Sequence, residues 1–300
     1  MTTSKLDYLL KLPKFDHLEA KTIEEACSLL AKYKDKARVI AGGTDLLVSM
    51  KRREVSPQYL INVKTIPNLD TISYSRKDGL VIGALTTLAE IESSPIVRER
   101  FPILSSAAHQ TASPHIRNMG TIGGNLCNAA PSADMAPSLI GLRARAKIKG
   151  LKGERVVVVE DFFLGPGVGI LQVGEILVEI QVPNPLPHTR GVYLKLPART
   201  AIDIAAVGVA VIVTLDSRGK SIVDVKIVLG AVAPTPIRAR QAEEIIRGKA
   251  ISDELIEKAA QAAADEARPI SDVRGSASYR KEMVMVLTKQ ALNQVITEKG

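Results

Sequence analysis

The chain has 300 residues, 46% of them hydrophobic and 3% aromatic, with no tryptophan, and 40 basic residues against 32 acidic ones give a formal charge of +8. That length and apolar content support a substantial core divided between two domains. The basic residues are scattered, the longest cluster being Lys51-Arg52-Arg53, and so few rings to stack on bases argue against nucleic-acid binding; a basic surface that meets an acidic partner subunit fits the charge at least as well.

Cys27 and Cys127 are the only cysteines, and neither they nor the four scattered histidines have metal-ligand spacing. The chain is therefore expected to bind no iron–sulfur cluster or structural zinc by itself, and to sit in a reducing, cytoplasmic setting. There is no signal-peptide h-region and no apolar run of about 18 residues, so neither export nor a membrane span is predicted.

In chain order, Thr22-Ile-Glu-Glu25 has the form of a capping box, and Ala26, Leu29, Leu30 and Tyr33 follow at helical spacing. Arg38–Ala41 reads as a short buried strand, and 46–53 as one or two helical turns. Strands are predicted at 59–63, 71–75 and 80–84, the last two joined by the turn Arg76-Lys-Asp-Gly79. Two helices follow, at 86–94 and 102–112, and another at 134–142. Strands at 144–149, 155–159 and 175–182 complete this half. Pro183-Asn-Pro-Leu-Pro187 is the natural boundary. Beyond it come β-rich runs at 192–196, 205–215 and 222–232, then a helix from Ser252 to about Ala267. A final amphipathic helix spans 276–297, with Tyr279, Met283, Leu287 and Val295 along its stripe. The pattern is α+β.

Two Gly-Gly loops stand out: Ala41-Gly-Gly-Thr-Asp-Leu46, and Thr121-Ile-Gly-Gly-Asn125. A glycine pair lets backbone approach an anion without Cβ interference and exposes consecutive N–H groups to phosphate oxygens. Each loop adds polar side chains, Thr44 with Asp45 and Thr121 with Asn125, able to grip a ribose or a ring edge. The pair is expected to hold one diphosphate from two sides, in a large phosphorylated cofactor. The segment from Thr111 to Asp134 is too densely polar for a plain buried turn. Asp134, nine residues past Asn125, has two open roles: N-cap of the following helix, or acceptor for ribose hydroxyls.

These motifs resemble the FAD-binding (medium) subunit of the molybdenum hydroxylases, the family of carbon monoxide dehydrogenase, xanthine dehydrogenase, nicotinate dehydrogenase and aldehyde oxidoreductases. Tyr193-Leu-Lys-Leu-Pro-Ala-Arg199, Asp203-Ile-Ala205 and Gly230-Ala-Val-Ala-Pro-Thr-Pro236 extend the resemblance over nearly the whole chain. It implies an FAD-binding domain of the vanillyl-alcohol-oxidase (PCMH) type at 1–185, in subdomains of about 1–62 and 63–185. A smaller C-terminal α+β domain of antiparallel sheet and helices would occupy 186–300.

The resemblance also implies site roles. Ile40, Ala41, Gly42, Gly43, Thr44, Asp45 and Leu46 would wrap the diphosphate and flank the flavin. Thr111, Ala112 and Ser113 would lie along the cofactor. Thr121, Gly123, Gly124 and Asn125 would hold the diphosphate, Asp134 the ribose, and Leu177 would touch the adenine or ribose end. Lys195 would approach the isoalloxazine, where a cation stabilises negative charge on the reduced ring. FAD would be noncovalent, leaving His109 and His115 with hydrogen-bonding or packing roles. Cys127 reads as a small buried residue. Leu164-Gly-Pro-Gly-Val-Gly169 lacks Gly-x-Gly-x-x-Gly spacing and a following helix signal, and reads as a loop.

The function so implied is an electron-transfer subunit with no catalytic acid, base or nucleophile of its own. Aldehyde, CO or an N-heterocycle would be oxidised at Mo-molybdopterin on a large partner subunit. Electrons would pass through a small [2Fe-2S] subunit to this FAD and on to an external acceptor, in a dimer of heterotrimers. The inserted cysteine-rich segment of the 4-hydroxybenzoyl-CoA reductase flavin subunit is absent here. The alternative is a self-contained FAD oxidase or dehydrogenase of the same fold, which needs acid–base groups beside the flavin.

Overall fold

The computed structural model describes residues 11–198 and 204–297. A parallel sheet comes first, with β1 (Asp16–Glu19) and β2 (Ala37–Ile40) on either side of β3 (Tyr59–Asn62). Parallel neighbours need a crossover, and α1 (Ile23–Tyr33) supplies it between β1 and β2. The Thr22 side chain caps α1 by accepting from the Glu25 amide, while the Glu25 carboxylate reaches the Lys21 amide, one residue earlier than in a strict capping box. After β2 the chain turns through the first glycine loop into α2 (Leu46–Lys51).

The second sheet is antiparallel. Its members are β4 (Ile72–Ser75), β5 (Gly79–Gly83), β6 (Arg145–Gly150), β7 (Gly153–Val158) and, after a hairpin of β8 (Phe163–Gly165) and β9 (Val168–Gly169), β10 (Ile176–Val182); their order is β4-β5-β10-β6-β7. Between β5 and β6 run α3 (Leu88–Ser93), α4 (Pro95–Arg100), α5 (Pro102–Gln110), α6 (Pro114–Arg117), α7 (Ile122–Cys127) and α8 (Met135–Gly141). The sequence pattern predicts two helices over 86–112, and there are three. Proline opens α4, α5 and α6 at their first turns, where its fixed φ suits the helix and its missing N–H costs no bond. The helix not predicted is α4, which fills the gap between the two expected ones.

The third sheet, β11 (Thr189–Pro197), β12 (Ala205–Leu215), β13 (Ile222–Gly230) and β14 (Ile237–Arg238), is antiparallel and follows chain order. Val207, Val209, Val211 and Val213 of β12 pack with α9 (Arg240–Ile246), α10 (Asp253–Glu266) and α11 (Ala277–Thr297). Ala210 and Ile212 join another cluster that holds Leu104, Ala107 and Leu139 of α5 and α8. Burial of both faces accounts for the unbroken apolar run of β12. The buried residues of α11 are Arg280, Val284, Thr288, Ala291, Leu292 and Val295; of the expected stripe, Val295 is buried and Met283 and Leu287 pack half-buried against the same core, while Tyr279 is 43% exposed. Arg280 sets the rotation, because its guanidinium is buried against the Asp272 carboxylate and the Ala231 carbonyl. No described helix is long and apolar enough to cross a membrane.

One buried carboxylate ties α9 to the third sheet. Glu243, 1% exposed, accepts from the Ile227 amide at 3.1 Å and from Arg238 Nε at 3.0 Å, with a second Arg238 bond and Arg247 on its other oxygen. Removing one partner of such a group leaves the others desolvated and unpaired. Glu243→Ala is expected to cost about 3 kcal/mol in urea unfolding, and Glu243→Gln clearly less. A loss below about 1 kcal/mol for the alanine variant, the range of exposed pairs, would contradict this.

Candidate functional site

The two glycine loops meet at one cavity of about 830 Å³, a volume suited to a large bound molecule. Ile40 to Leu46 line one part of it, and Thr121, Gly123, Gly124 and Asn125 another; Thr111, Ala112, Asp134, Leu177 and Lys195 also line it. Of the residues assigned to the cofactor from sequence, Ser113 alone is not on the wall. Its side chain is spent as the N-cap of α6, accepting from the Ile116 amide.

The loops differ in what they offer. In the first, Gly43 takes φ +72°, a region that glycine enters without steric cost. Among the described residues, the amides of Gly42, Gly43, Thr44 and Asp45 donate to no protein acceptor. Free successive amides around a left-handed residue form a concavity for an anion. Gly42 has a separate reason to be glycine, because a Cβ there would collide with the Met119 carbonyl.

The second loop has its successive amides engaged within the protein. Ile122 N donates to the Thr86 carbonyl, Gly123 N to Ala84, Gly124 N to Thr121 Oγ1 at 3.0 Å, and Asn125 N to the Thr121 carbonyl. The first two donors are consumed by docking α7 onto the chain leaving β5, and the last two by the Thr121 cap and first turn of α7 itself. Gly123 is forced by that contact, since its Cβ would stand 2.5 Å from the Ala84 carbonyl oxygen. Gly124 is different. A Cβ there would meet only Thr121 Oγ1, at 3.0 Å, so the surface it lines stays open for a ligand. Beside it, Asn125 Oδ1 is buried with no hydrogen-bond partner among the described residues, an acceptor left for a bound hydroxyl or N–H.

Asp134 heads α8 but makes no capping bond. Its carboxylate is 5% exposed and accepts from Tyr193 Oη at 2.7 Å and Lys195 Nζ at 2.9 Å. The N-cap role is thus not taken up, while the carboxylate, each oxygen of which accepts one bond from β11, keeps lone pairs for a further donor in the cavity it lines. Burial pushes the Asp134 carboxyl above its ordinary range, outweighing the Lys195 and Tyr193 contacts that lower it. Burial, with Asp134 beside it, drives the Tyr193 hydroxyl well up. Lys195 also donates to the Gln110 carbonyl at 2.8 Å. It reaches the cavity as half of an ion pair.

Several lining residues escaped the sequence reading. Ser132 lies in the polar stretch before Asp134, and Glu175 stands two residues before Leu177, so both had a signal that was not followed. Gly167 belongs to the β8–β9 hairpin, set aside as a plain loop. Arg38, Ser49 and Glu54 flank the first loop and carry no distinguishing pattern. Glu175 is held by Arg155 through Nε at 2.8 Å and Nη2 at 2.7 Å, and the Arg155 bond is the main reason its carboxyl lies below the usual range. Cys127, expected to be buried, is exposed and lines the cavity. His109 and His115 do not line it; His109 Nδ1 pairs with Glu92 at 2.7 Å. Arg199 and Asp203 lie outside the described residues.

Residues 13–185 match the FAD binding domain in molybdopterin dehydrogenase, and residues 192–295 the CO dehydrogenase flavoprotein C-terminal domain. The carbon monoxide dehydrogenase medium chain of Hydrogenophaga pseudoflava is 37% identical over 94% of this chain and 96% of its own length. The glyceraldehyde dehydrogenase medium chain of Sulfolobus acidocaldarius is 36% identical over 94% and 99%. Among solved structures, carbon monoxide dehydrogenase from Hydrogenophaga pseudoflava superposes with a TM-score of 0.91 at 38% identity, covering 94% of this chain and 97% of that one. Quinoline 2-oxidoreductase from Pseudomonas putida 86 gives 0.89 at 30% identity, over 95% and 98%. With two family domains in order and relatives matched end to end, this chain belongs to the FAD-binding medium subunits of the molybdenum hydroxylases.

Proposed function

We propose that this chain holds FAD noncovalently in the glycine-loop cavity and relays electrons from a [2Fe-2S] subunit to an external acceptor. The substrate is oxidised on a large molybdopterin subunit, in a cytoplasmic dimer of heterotrimers. The observation that carries the reading is the complementarity of the two loops: four free amides on one side, and an open glycine with an orphaned Asn125 oxygen on the other. That set fits a diphosphate between them with a polar ring or sugar edge alongside.

Bound there, FAD supplies redox chemistry that no side chain of this protein has. The chain's own part is to bind, orient and set the electrostatics. The amides of Gly42 to Asp45 would take the diphosphate, and Gly124 would leave room for its approach. Thr121 and Asn125 would hold polar groups beside it. Lys195 and Asp134 present a balanced pair whose nearest charge to the ring tunes its ease of reduction. In this reading the chain divides at Pro183–Pro187. Residues 1–185 form the cofactor domain, in subdomains of about 1–62 and 63–185, and 186–300 form a domain that sends Lys195 into the site.

Gly124→Val should abolish FAD retention while leaving the folded content unchanged, because the new side chain meets little protein and fills the cavity. By contrast, Gly42→Ala and Gly123→Ala should destabilise the fold through backbone collision. Flavin released by acid per mole of folded protein, read with far-UV circular dichroism, checks both; a Gly124→Val protein with full flavin occupancy contradicts the placement.

Lys195→Met should make bound FAD harder to reduce and Asp134→Asn easier, each by on the order of 30 mV, a tenfold change for a two-electron couple. A spectroelectrochemical titration of the complex reads this. Shifts of the same sign would mean that packing, and not the ion pair's charge, sets the potential.

A further inference from the structure

We infer that Arg117 is a positioning residue for the flavin site: held by Glu92, it fixes the backbone turn at Thr111–Ala112 that forms part of the cavity wall. This rests on the FAD reading above. Arg117 is 7% exposed and is not on the wall itself. Its Nη1 donates to the Ala112 carbonyl at 2.9 Å and to that of Thr111 at 3.4 Å. Its Nε donates to Glu92 Oε2 at 2.7 Å, and Nη2 to Oε1 at 3.5 Å. The guanidinium thus clamps two successive wall carbonyls with one edge and a carboxylate with another.

The clamp acts on a segment that needs one. Ala112 has φ +48°, a left-handed conformation in which Cβ crowds its own backbone and which an alanine adopts only when its surroundings impose it. Nothing in its immediate sequence supplies that imposition. α6, which follows, is a single turn of four residues, too short to stand alone. Arg117 closes the segment by reaching back over that turn to the carbonyls on either side of the strained residue's start.

Glu92 decides where the clamp is fixed. It lies on α3, whose capping residue Thr87 bridges Thr121, and the Leu88 amide donates to the Gly120 carbonyl. The Thr111–Ala112 wall and the second glycine loop are therefore referenced to the same short helix, and Arg117 joins them. Burial would raise the Glu92 carboxyl, but the bonds from His109 and Arg117 hold it below its ordinary value, so it stays an anion for the clamp. Lysine cannot replace arginine here, because a single ammonium lacks the planar fork that serves both edges at once.

The test uses the full chain with FAD added back, comparing wild type, Arg117→Ala, Arg117→Lys, and Arg117→Ala combined with Ala112→Gly. The readouts are the FAD dissociation constant and the visible circular dichroism of the bound flavin, which reports the geometry around the ring. Losing charge-assisted bonds should weaken FAD about ten- to a hundredfold in Arg117→Ala and alter the flavin dichroism, with Arg117→Lys close behind. Adding Ala112→Gly should restore most of the dichroism and at least part of the affinity, since glycine enters the left-handed region freely. A merely structural arginine would lower thermal stability without that rescue, and this result overturns the inference. So does an Arg117→Ala or Arg117→Lys protein with wild-type affinity and dichroism. Should Arg117→Ala not accumulate as folded protein, the lysine variant, alone and with Ala112→Gly, decides the matter in the same way. Wild-type chain that binds no FAD would instead sink the reading on which the inference stands.

Discussion

The cavity depends on two close backbone approaches. At Gly42 the first glycine loop lies directly on the Met119 carbonyl, and at Gly123 the second lies on that of Ala84. Neither contact leaves room for a Cβ, so the loops are locked to each other's surroundings before any ligand arrives. The first contact leaves the amides of Gly42 to Asp45 with nothing to bond among the described residues, and the second uses up the amides of Ile122 and Gly123. One constraint thus produces an asymmetric site, with donors on one side and clearance on the other. A preformed arrangement of this kind orders little on binding, and ordering cost is what separates tight cofactor sites from loose ones.

The third sheet enters the site through β11. Tyr193 and Lys195, two residues apart and so on one face of the strand, both reach Asp134 at the head of α8. Lys195 pairs in register with Gly208, where a Cβ would run into the Tyr193 hydroxyl. A glycine in the neighbouring strand is therefore what lets the tyrosine lie flat enough to meet Asp134. The buried triad links residues on the two sides of the proline-rich segment 183–187, so the site is complete only when both sequence regions are folded together.

Much of this was legible in the sequence, because local rules set it. The caps at Thr22 and Ser252, the turn into β5 and the apolar β-rich runs beyond Pro187 all register in a few adjacent residues. Over 86–112 the pattern shows helices at 86–94 and 102–112, and α4 between them is not legible because the six residues opened by Pro95 are too few to display a helical period. The expected stripe of α11 omits Arg280 because an arginine counts as polar in any pattern, although its ion pair with Asp272 places it inside. At the site, the glycine positions were legible and their separate reasons were not. Whether a glycine serves a ligand, as Gly124 does in the proposed reading, or another strand of backbone, as Gly123 does, depends on the nearest non-local atom. The fate of Asp134 was hidden for the same reason, since its partners lie about sixty residues downstream.

Two readings stood open from the sequence, an electron relay and a self-contained enzyme, and the charges on the cavity wall separate them. A general base must be free to take a proton and poised near the working pH. Asp134 is bound to Tyr193 and Lys195, Glu175 to Arg155, and Glu54 pairs with Arg52. Burial raises the Asp134 carboxyl, but the Tyr193 and Lys195 bonds occupy it, and Glu175 is pushed below the ordinary carboxylate range by its arginine, away from a base's requirement. Asp134 and Glu175, the two shielded carboxylates of the wall, are each held by a cation, which fixes their side chains and keeps the local field steady. That suits a protein whose task is to hold a redox group at a set potential and leave bond-breaking elsewhere, and it is why the relay is the stronger reading on physical grounds alone.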